Sequence, residues 1–254
     1  MKTDRPPMKY AVVSITKHGI ALAAKVVAAL PGAQLFAPEK FRAEAAAAAP
    51  GATHCYEGKV GDQIPALFAA FDGIVAIVSL GAVVRLIAPH LKNKESDPAI
   101  VVIDEASRFS IPVLSGHLGG ANALAGHLAT ALGAQAVLTT ASDARQTIGV
   151  DLLGRELGWT FEATHEELVR VSAAMVNDEA VALVQEAGSP NWWFNHANGR
   201  TGPLPANVTL FEKLEEIDVD RYAAVLWISE RAMPAEYAAR LAGRQVTYRP
   251  SKEN

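Results

Sequence analysis

Apolar, β-branched runs that do not alternate with polar residues recur through the first half of this chain: "YAVVSIT", "AQLFAP", "GIVAIVS", "AIVVID", "SIPVLS" and "AQAVLTT". A strand with one wet face alternates apolar and polar side chains, whereas a strand covered on both faces does not. Helical patterns separate these runs. They are "HGIALAAKVVAAL", closed by Pro31-Gly32, then "EKFRAEAAAAA", "IPALFAAF", "GAVVRLIAPHL", broken at Pro89, and "GGANALAGHLATALG". Leu124, Leu128 and Leu132 recur every four residues and mark one buried helix stripe. Buried strands alternating with helices predict an α/β domain over residues 1–140, a parallel sheet between two helical layers.

From residue 141 to 254 the texture differs. "IGVDLLGRELGW" reads as a helix and "TFEA" as a short strand. "THEELVRVSAAMVN" reads as a helix with Thr164 as N-cap and Glu167 three residues on, the capping-box spacing. "AVALVQE", "AAVLWIS" and "QVTYRP" read as strands, and "GSPNWWFNHANGRTGPLPAN" as a long irregular connection. The expectation is a second, smaller α/β domain. Half of the 254 residues are hydrophobic and a fifth are charged, enough apolar material for a sizeable core. A net charge of -4 gives no general attraction to nucleic acid or to an anionic membrane. The single cysteine excludes an intramolecular disulfide and a cysteine metal cluster. With no run of membrane-spanning length and no cleavable signal pattern, the reading is a cytoplasmic protein.

Ligands of open parallel sheets sit beyond the carboxyl ends of the strands. Three unusual segments follow predicted strands: Ser79-Leu80-Gly81, Asp104-Glu105, and Ser115 to Asn122 with Gly116, His117, Gly119 and Gly120. All three are expected along one sheet edge, sharing one crevice. Glycines there allow close backbone approach, and the helix that follows offers N–H groups to an anion. Neither G-x-G-x-x-G nor a Gly-Lys-Ser/Thr P-loop is present. Each segment also has an ordinary structural reading. The glycine turn can be a tight turn, and the acidic pair a cap. Arg85 and His90 can be surface residues, and Thr16 with Gly19 a helix start. Thr139 and Thr140 after the last strand can cap a helix as well as donate to a ligand. The seven histidines form no H-E-x-x-H, and no protein-bound metal is expected. Trp192-Trp193 suits either stacking on a flat ligand or packing a loop.

Taken together, "GAVVRLIAPHLKNKESDPAIVVIDEASRFSIPVLSGHLGGANALA", with "ITKHGIALAAKV" before it and "AVLTTASDARQTIGVDLLGRELG" after it, closely resembles the cobalamin-biosynthesis family CbiG, the cobalt-precorrin-5A hydrolases. The resemblance implies a cobalt-bound polycarboxylate macrocycle as substrate, opening of its ring-A δ-lactone, and release of acetaldehyde to leave cobalt-precorrin-5B. No cofactor of the protein's own is implied, because the substrate carries the cobalt. The family usually continues into a C-terminal domain after a segment like "VTYRP"; the resemblance implies that this domain is encoded separately, is dispensable here, or is missing from a truncated form, and the implied partners are other enzymes of the pathway or a separate C-terminal domain. On this reading His117 is the general base toward the lactone-opening water. Ser115 and the Gly119 and Gly120 amides hold the lactone oxygen, and Asp104 or Glu105 orients the base. Arg85, His90 and Lys92 pair with the ring's carboxylates, while Thr16, Ser79, Gly81, Gly116, Asn122, Thr139 and Thr140 line the site. A carrier that binds the ring without acetaldehyde release, or an unrelated anion-binding protein, are the rival classes.

Overall fold

The computed structural model describes residues 8–93, 96–117, 119–193 and 202–251, with residues 143 and 144 described by backbone alone. It divides into two compact units, one ending at Leu138 and the other beginning at Thr139.

In chain order the first unit comprises β1 (Tyr10–Ser14), α1 (Lys17–Ala29), β2 (Gln34–Pro38), α2 (Arg42–Ala48), β3 (Thr53–Tyr56), α3 (Ile64–Ala70), β4 (Gly73–Ile77), α4 (Leu80–Ile87), β5 (Ala99–Ile103), β6 (Phe109–Leu114), α5 (Ala121–Leu132) and β7 (Gln135–Ala136). Its seven strands are ordered β3-β2-β1-β4-β5-β6-β7. The sheet is sandwiched as its unbroken apolar strands require. On one face Val12, Val75 and Val101 pack under Ile20, Val26, Leu124 and Leu128 of α1 and α5. On the other, Val13, Ile74 and Ile100 pack under Ile64 and Leu67 of α3 and Val83 and Ile87 of α4.

One strand departs from the expected parallel order. β6 pairs antiparallel with β5, Ile103 opposite Ser110 and Ile100 opposite Leu114, and β7 runs parallel to β6. The reason is connection length. Five residues, 104–108, separate β5 from β6. A parallel crossover needs a dozen or more residues, so so short a link can only make a hairpin.

The second unit carries α6 (Ala141–Ala144), β8 (Thr160–Glu162), α7 (His165–Val176), β9 (Val181–Gln185), β10 (Val208–Phe211), β11 (Ala224–Ile228), α8 (Ala235–Leu241) and β12 (Gln245–Arg249). Its sheet is ordered β10-β9-β11-β12-β8, parallel except for β8. The Thr164 capping box closes as the spacing predicts, with Thr164 Oγ1 accepting from the Glu167 N–H and the Glu167 carboxylate accepting from the Thr164 N–H. "IGVDLLGRELGW" is not an α-helix. It is a series of turns with one 3-10 turn, because Gly154 and Gly158 adopt left-handed conformations that stop a right-handed helix. The long connection after Gly188 lies partly outside the described residues.

At the carboxyl ends of β9 and β11, Arg231 bridges Glu186 and Glu215. Burial pushes the Glu186 carboxyl up. Hydrogen bonds from Arg231, the Leu214 N–H and Ser229 outweigh it and hold the carboxyl at about 2. A carboxylate depressed in the folded state stabilises above its unfolded pKa and loses that contribution as pH falls toward the folded value. Glu186→Gln is therefore expected to lower stability at pH 7 by on the order of 1–3 kcal/mol, with the gap from the parent chain closing between about pH 5 and pH 2. Denaturant melts across that range check it; a gap that widens in acid contradicts the assignment.

Candidate functional site

The antiparallel β6 splits the expected crevice in two. Thr16, Ser79, Gly81, Asp104 and Glu105 follow β1, β4 and β5 and lie at the carboxyl edge of those strands. Ser115 to Asn122 follows β6, so it lies at the opposite edge, on the order of 15–20 Å away along the strands. The expectation of one shared edge is wrong for this reason, and neither Asp104 nor Glu105 reaches His117 to orient it.

At the carboxyl edge the strand order reverses between β1 and β4, the switch point where helices leave for opposite faces. Thr16 caps α1, its Oγ1 accepting from the Gly19 N–H at 3.0 Å and donating to Glu105 Oε1. Asp104 is committed to the hairpin. Its carboxylate accepts from the Arg108 and Phe109 N–H groups at 2.8 and 2.7 Å and from Arg108 Nε at 3.2 Å. Burial raises its pKa, but the Phe109 N–H and Arg108 win, and the carboxyl stays below its ordinary value. It brackets the hairpin turn. Ser79 precedes α4, and Gly81 is exposed in that helix's first turn.

At the opposite edge, the chain between β6 and α5 is a tightly interlocked turn. Ser115 has φ +55, a left-handed conformation held at strain by a non-glycine residue. Its hydroxyl donates to the Asp97 carbonyl at 2.9 Å, and the Asp97 carboxylate accepts the Lys92 N–H at 3.0 Å. Gly119 lies against Ser115 so closely that a Cβ there would fall 2.3 Å from the Ser115 Cβ, so only glycine fits. The Gly120, Ala121 and Asn122 N–H groups donate to the carbonyls of His117, Ser115 and Gly116 at 3.0, 3.1 and 2.9 Å. They close the turn on itself. The Gly120 amide and the Ser115 hydroxyl are thus not offered to a ligand oxygen in this state, which corrects their expected role as oxyanion donors. A Cβ on Gly116 would meet Asn122 Oδ1 at 2.8 Å, fixing the Asn122 side chain beside the turn. His117 is half-buried within it.

α4 starts at the carboxyl edge and returns toward the Ser115 edge, where Lys92 meets Asp97. Arg85 is exposed on it. His90 is half-buried, its ring 5.9 Å from that of Phe68, and so is partly a packing residue. Thr139 and Thr140 follow β7 as the first residues of the second unit. The tryptophan pair packs its loop. Trp192 Nε1 donates to Gln185 Oε1 and Trp193 Nε1 to the Gly202 carbonyl, both at 2.8 Å. Among the described residues, no group of three or more His, Cys, Asp or Glu is gathered for a metal ion. Sequence reasoning passed over Asp97, which ties Lys92 to Ser115. The signal was present as an acidic residue directly before a fully apolar strand, "DPAIVVI".

The family description "Cobalamin synthesis G N-terminal" matches residues 62–143, which contain the Ser115–Asn122 turn and all of α4. "Cobalamin biosynthesis central region" matches residues 148–250. The chain belongs to the CbiG family of cobalamin biosynthesis. A relative from Priestia megaterium named cobalt-precorrin-5A hydrolase is 41% identical over 243 residues, 95% of this chain and 62% of the relative. One of the same name from Salmonella typhimurium is 34% identical over 187 residues, 74% of this chain and 49% of that protein. The chain thus spans about half to 62% of the length of these CbiG relatives.

The interlocked turn makes a checkable claim about Ser115. Ala keeps the left-handed strain and loses the bond to Asp97; Gly loses the bond but relieves the strain. Ser115→Gly is expected to be more stable than Ser115→Ala by about 1 kcal/mol, read as the difference in urea midpoints. Equal midpoints would show that the turn stores no strain at this position.

Proposed function

We propose that this chain is a cobalt-precorrin-5A hydrolase, opening the ring-A δ-lactone and releasing acetaldehyde to give cobalt-precorrin-5B. The observation that carries the reading is the 41% identity to a hydrolase of that name along 95% of the chain. In balance, one water adds to the lactone carbonyl and the acyl C–O bond breaks, leaving a carboxylate and a carbinol. Loss of the carbinol proton then breaks the carbon–carbon bond to the ring, the electron pair staying on the macrocycle as the two-carbon fragment leaves as acetaldehyde.

His117 is the general base for the first step. It is the one titratable side chain on a turn whose backbone is fixed by Ser115, Gly119 and Gly120. The rigid turn sets the direction of the imidazole, as a base needs for a defined attack line. Asn122 stands beside it. Lys92, anchored through Asp97, and Arg85 receive carboxylates of the substrate, with His90 behind them against Phe68. Thr16, Ser79, Gly81 and Glu105 form a separate edge and take no part in water activation. Thr139 and Thr140 follow β7 and begin the second unit.

The test is anaerobic incubation of the purified chain with cobalt-precorrin-5A, with hydrazine trapping of acetaldehyde and mass analysis of the ring. Acetaldehyde with the matching mass loss is expected, and His117→Ala is expected to lower turnover by about 10²–10⁴-fold while ring binding persists. Ring binding without any acetaldehyde would favour the carrier reading, and unchanged turnover in the variant would remove His117 from the base role.

A further inference from the structure

α4 is apolar on both sides, and only one side is covered. Val83 and Ile87 face the core at 4% and 6% exposure. Leu80 and Val84, one turn apart on the outer side, are 40% and 48% exposed, and Leu91 just beyond the helix is 46% exposed; Ala88 continues the same row. Arg85 is the one charged residue on the helix, and the rest of its exposed side is an apolar row, a surface suited to an occupant. The exposed glycine beside this row, on the Arg85 side of the helix, points the same way. A Cβ on Gly81 would meet nothing within 4 Å, and no left-handed φ requires a glycine there. Alanine would suit the helix better, so the benefit of glycine lies outside the protein, in close approach by something flat.

We propose that the outer face of α4 is the platform on which the planar macrocycle lies. This rests on the hydrolase reading given above and adds which surface takes the ring. Charge selects this occupant. Arg85 and Lys92 stand exposed at the margin of the apolar row, and among the described residues neither side chain is held in an ion pair. Arg42, Arg108, Arg231 and Arg249, by contrast, are each bound to a carboxylate. A flat apolar centre with cations at its margin fits a ring that is apolar on its face and carboxylated at its rim. The chain then joins the platform to the candidate site: the backbone N–H of Lys92 donates to the Asp97 carboxylate, and Ser115 of the His117 turn donates to the Asp97 carbonyl. A ring seated on α4 with its rim on Lys92 presents an edge to that turn.

The experiment uses Gly81→Leu, Val84→Glu, Arg85→Gln and Arg85→Lys in the full chain. Cobalt-precorrin-5A is titrated anaerobically by absorbance, and thermal melts and sedimentation velocity are run alongside. Gly81→Leu and Val84→Glu are expected to melt no lower than the parent and to bind the ring at least tenfold more weakly. Arg85→Gln is expected to lose several-fold, largely restored in Arg85→Lys. Parent-like affinity in both Gly81→Leu and Val84→Glu, with the parent binding and turning over the ring, overturns the platform and leaves the hydrolase reading standing. A parent chain that neither binds nor converts the ring overturns both. Loss of ring binding in Val84→Glu together with dissociation of a parent dimer also overturns the platform, because the face would then be a contact between copies.

Discussion

The placement of the His117 turn depends on one hairpin. Five residues turn β5 into β6, and the Asp104 carboxylate holds the turn through two backbone N–H groups and Arg108. Because β6 runs back against β5, the turn that follows it emerges at the opposite edge of the sheet. The glycine-rich turn with His117 is therefore separated from the switch point where Thr16, Ser79 and Glu105 gather. A carboxylate that looks in sequence like a partner for His117 is instead what keeps His117 away from its own edge.

The His117 turn is rigid for reasons internal to it. Ser115 takes a left-handed conformation, Gly119 fits only because it lacks a Cβ, and three N–H groups that would otherwise cap α5 close back on the turn's carbonyls. The usual use of a glycine-lined helix start is to leave those N–H groups open to an anion. Here they are occupied by the turn's own carbonyls. Asp97 ties the segment after α4 to this turn, its carboxylate accepting from the Lys92 backbone N–H and its carbonyl from the Ser115 hydroxyl.

Much of the first unit was legible in the sequence because its strands are buried on both faces. A run such as "AIVVI" has one physical explanation, and the structure buries all five of its residues. Shorter elements were not legible. β3 and β10 mix polar and apolar residues at sheet edges, with half-exposed patterns that give no clear period. "IGVDLLGRELGW" carries helical spacing, but two left-handed glycines decide against it. The direction of β6 was written in the chain as a link too short for a crossover. The composition of the strands does not carry it, and reading the site from strand ends alone put His117 and Glu105 on the same edge. The candidate residues were thus visible as residues, and their grouping along the sheet was not. The exposed row on α4 was hidden for the related reason that spacing shows an apolar face without showing what covers it.

The central claim is that His117 works without the acidic pair at the far edge. A double-mutant cycle on acetaldehyde release, comparing His117→Ala, Glu105→Gln and the pair, measures it directly. The two effects are expected to add within about 0.5 kcal/mol, as for sites that share no partner. A coupling energy above about 1 kcal/mol, with Glu105→Gln having little further effect once His117 is gone, would mean that the two side chains act as one unit and that the hairpin does not keep them apart during the reaction.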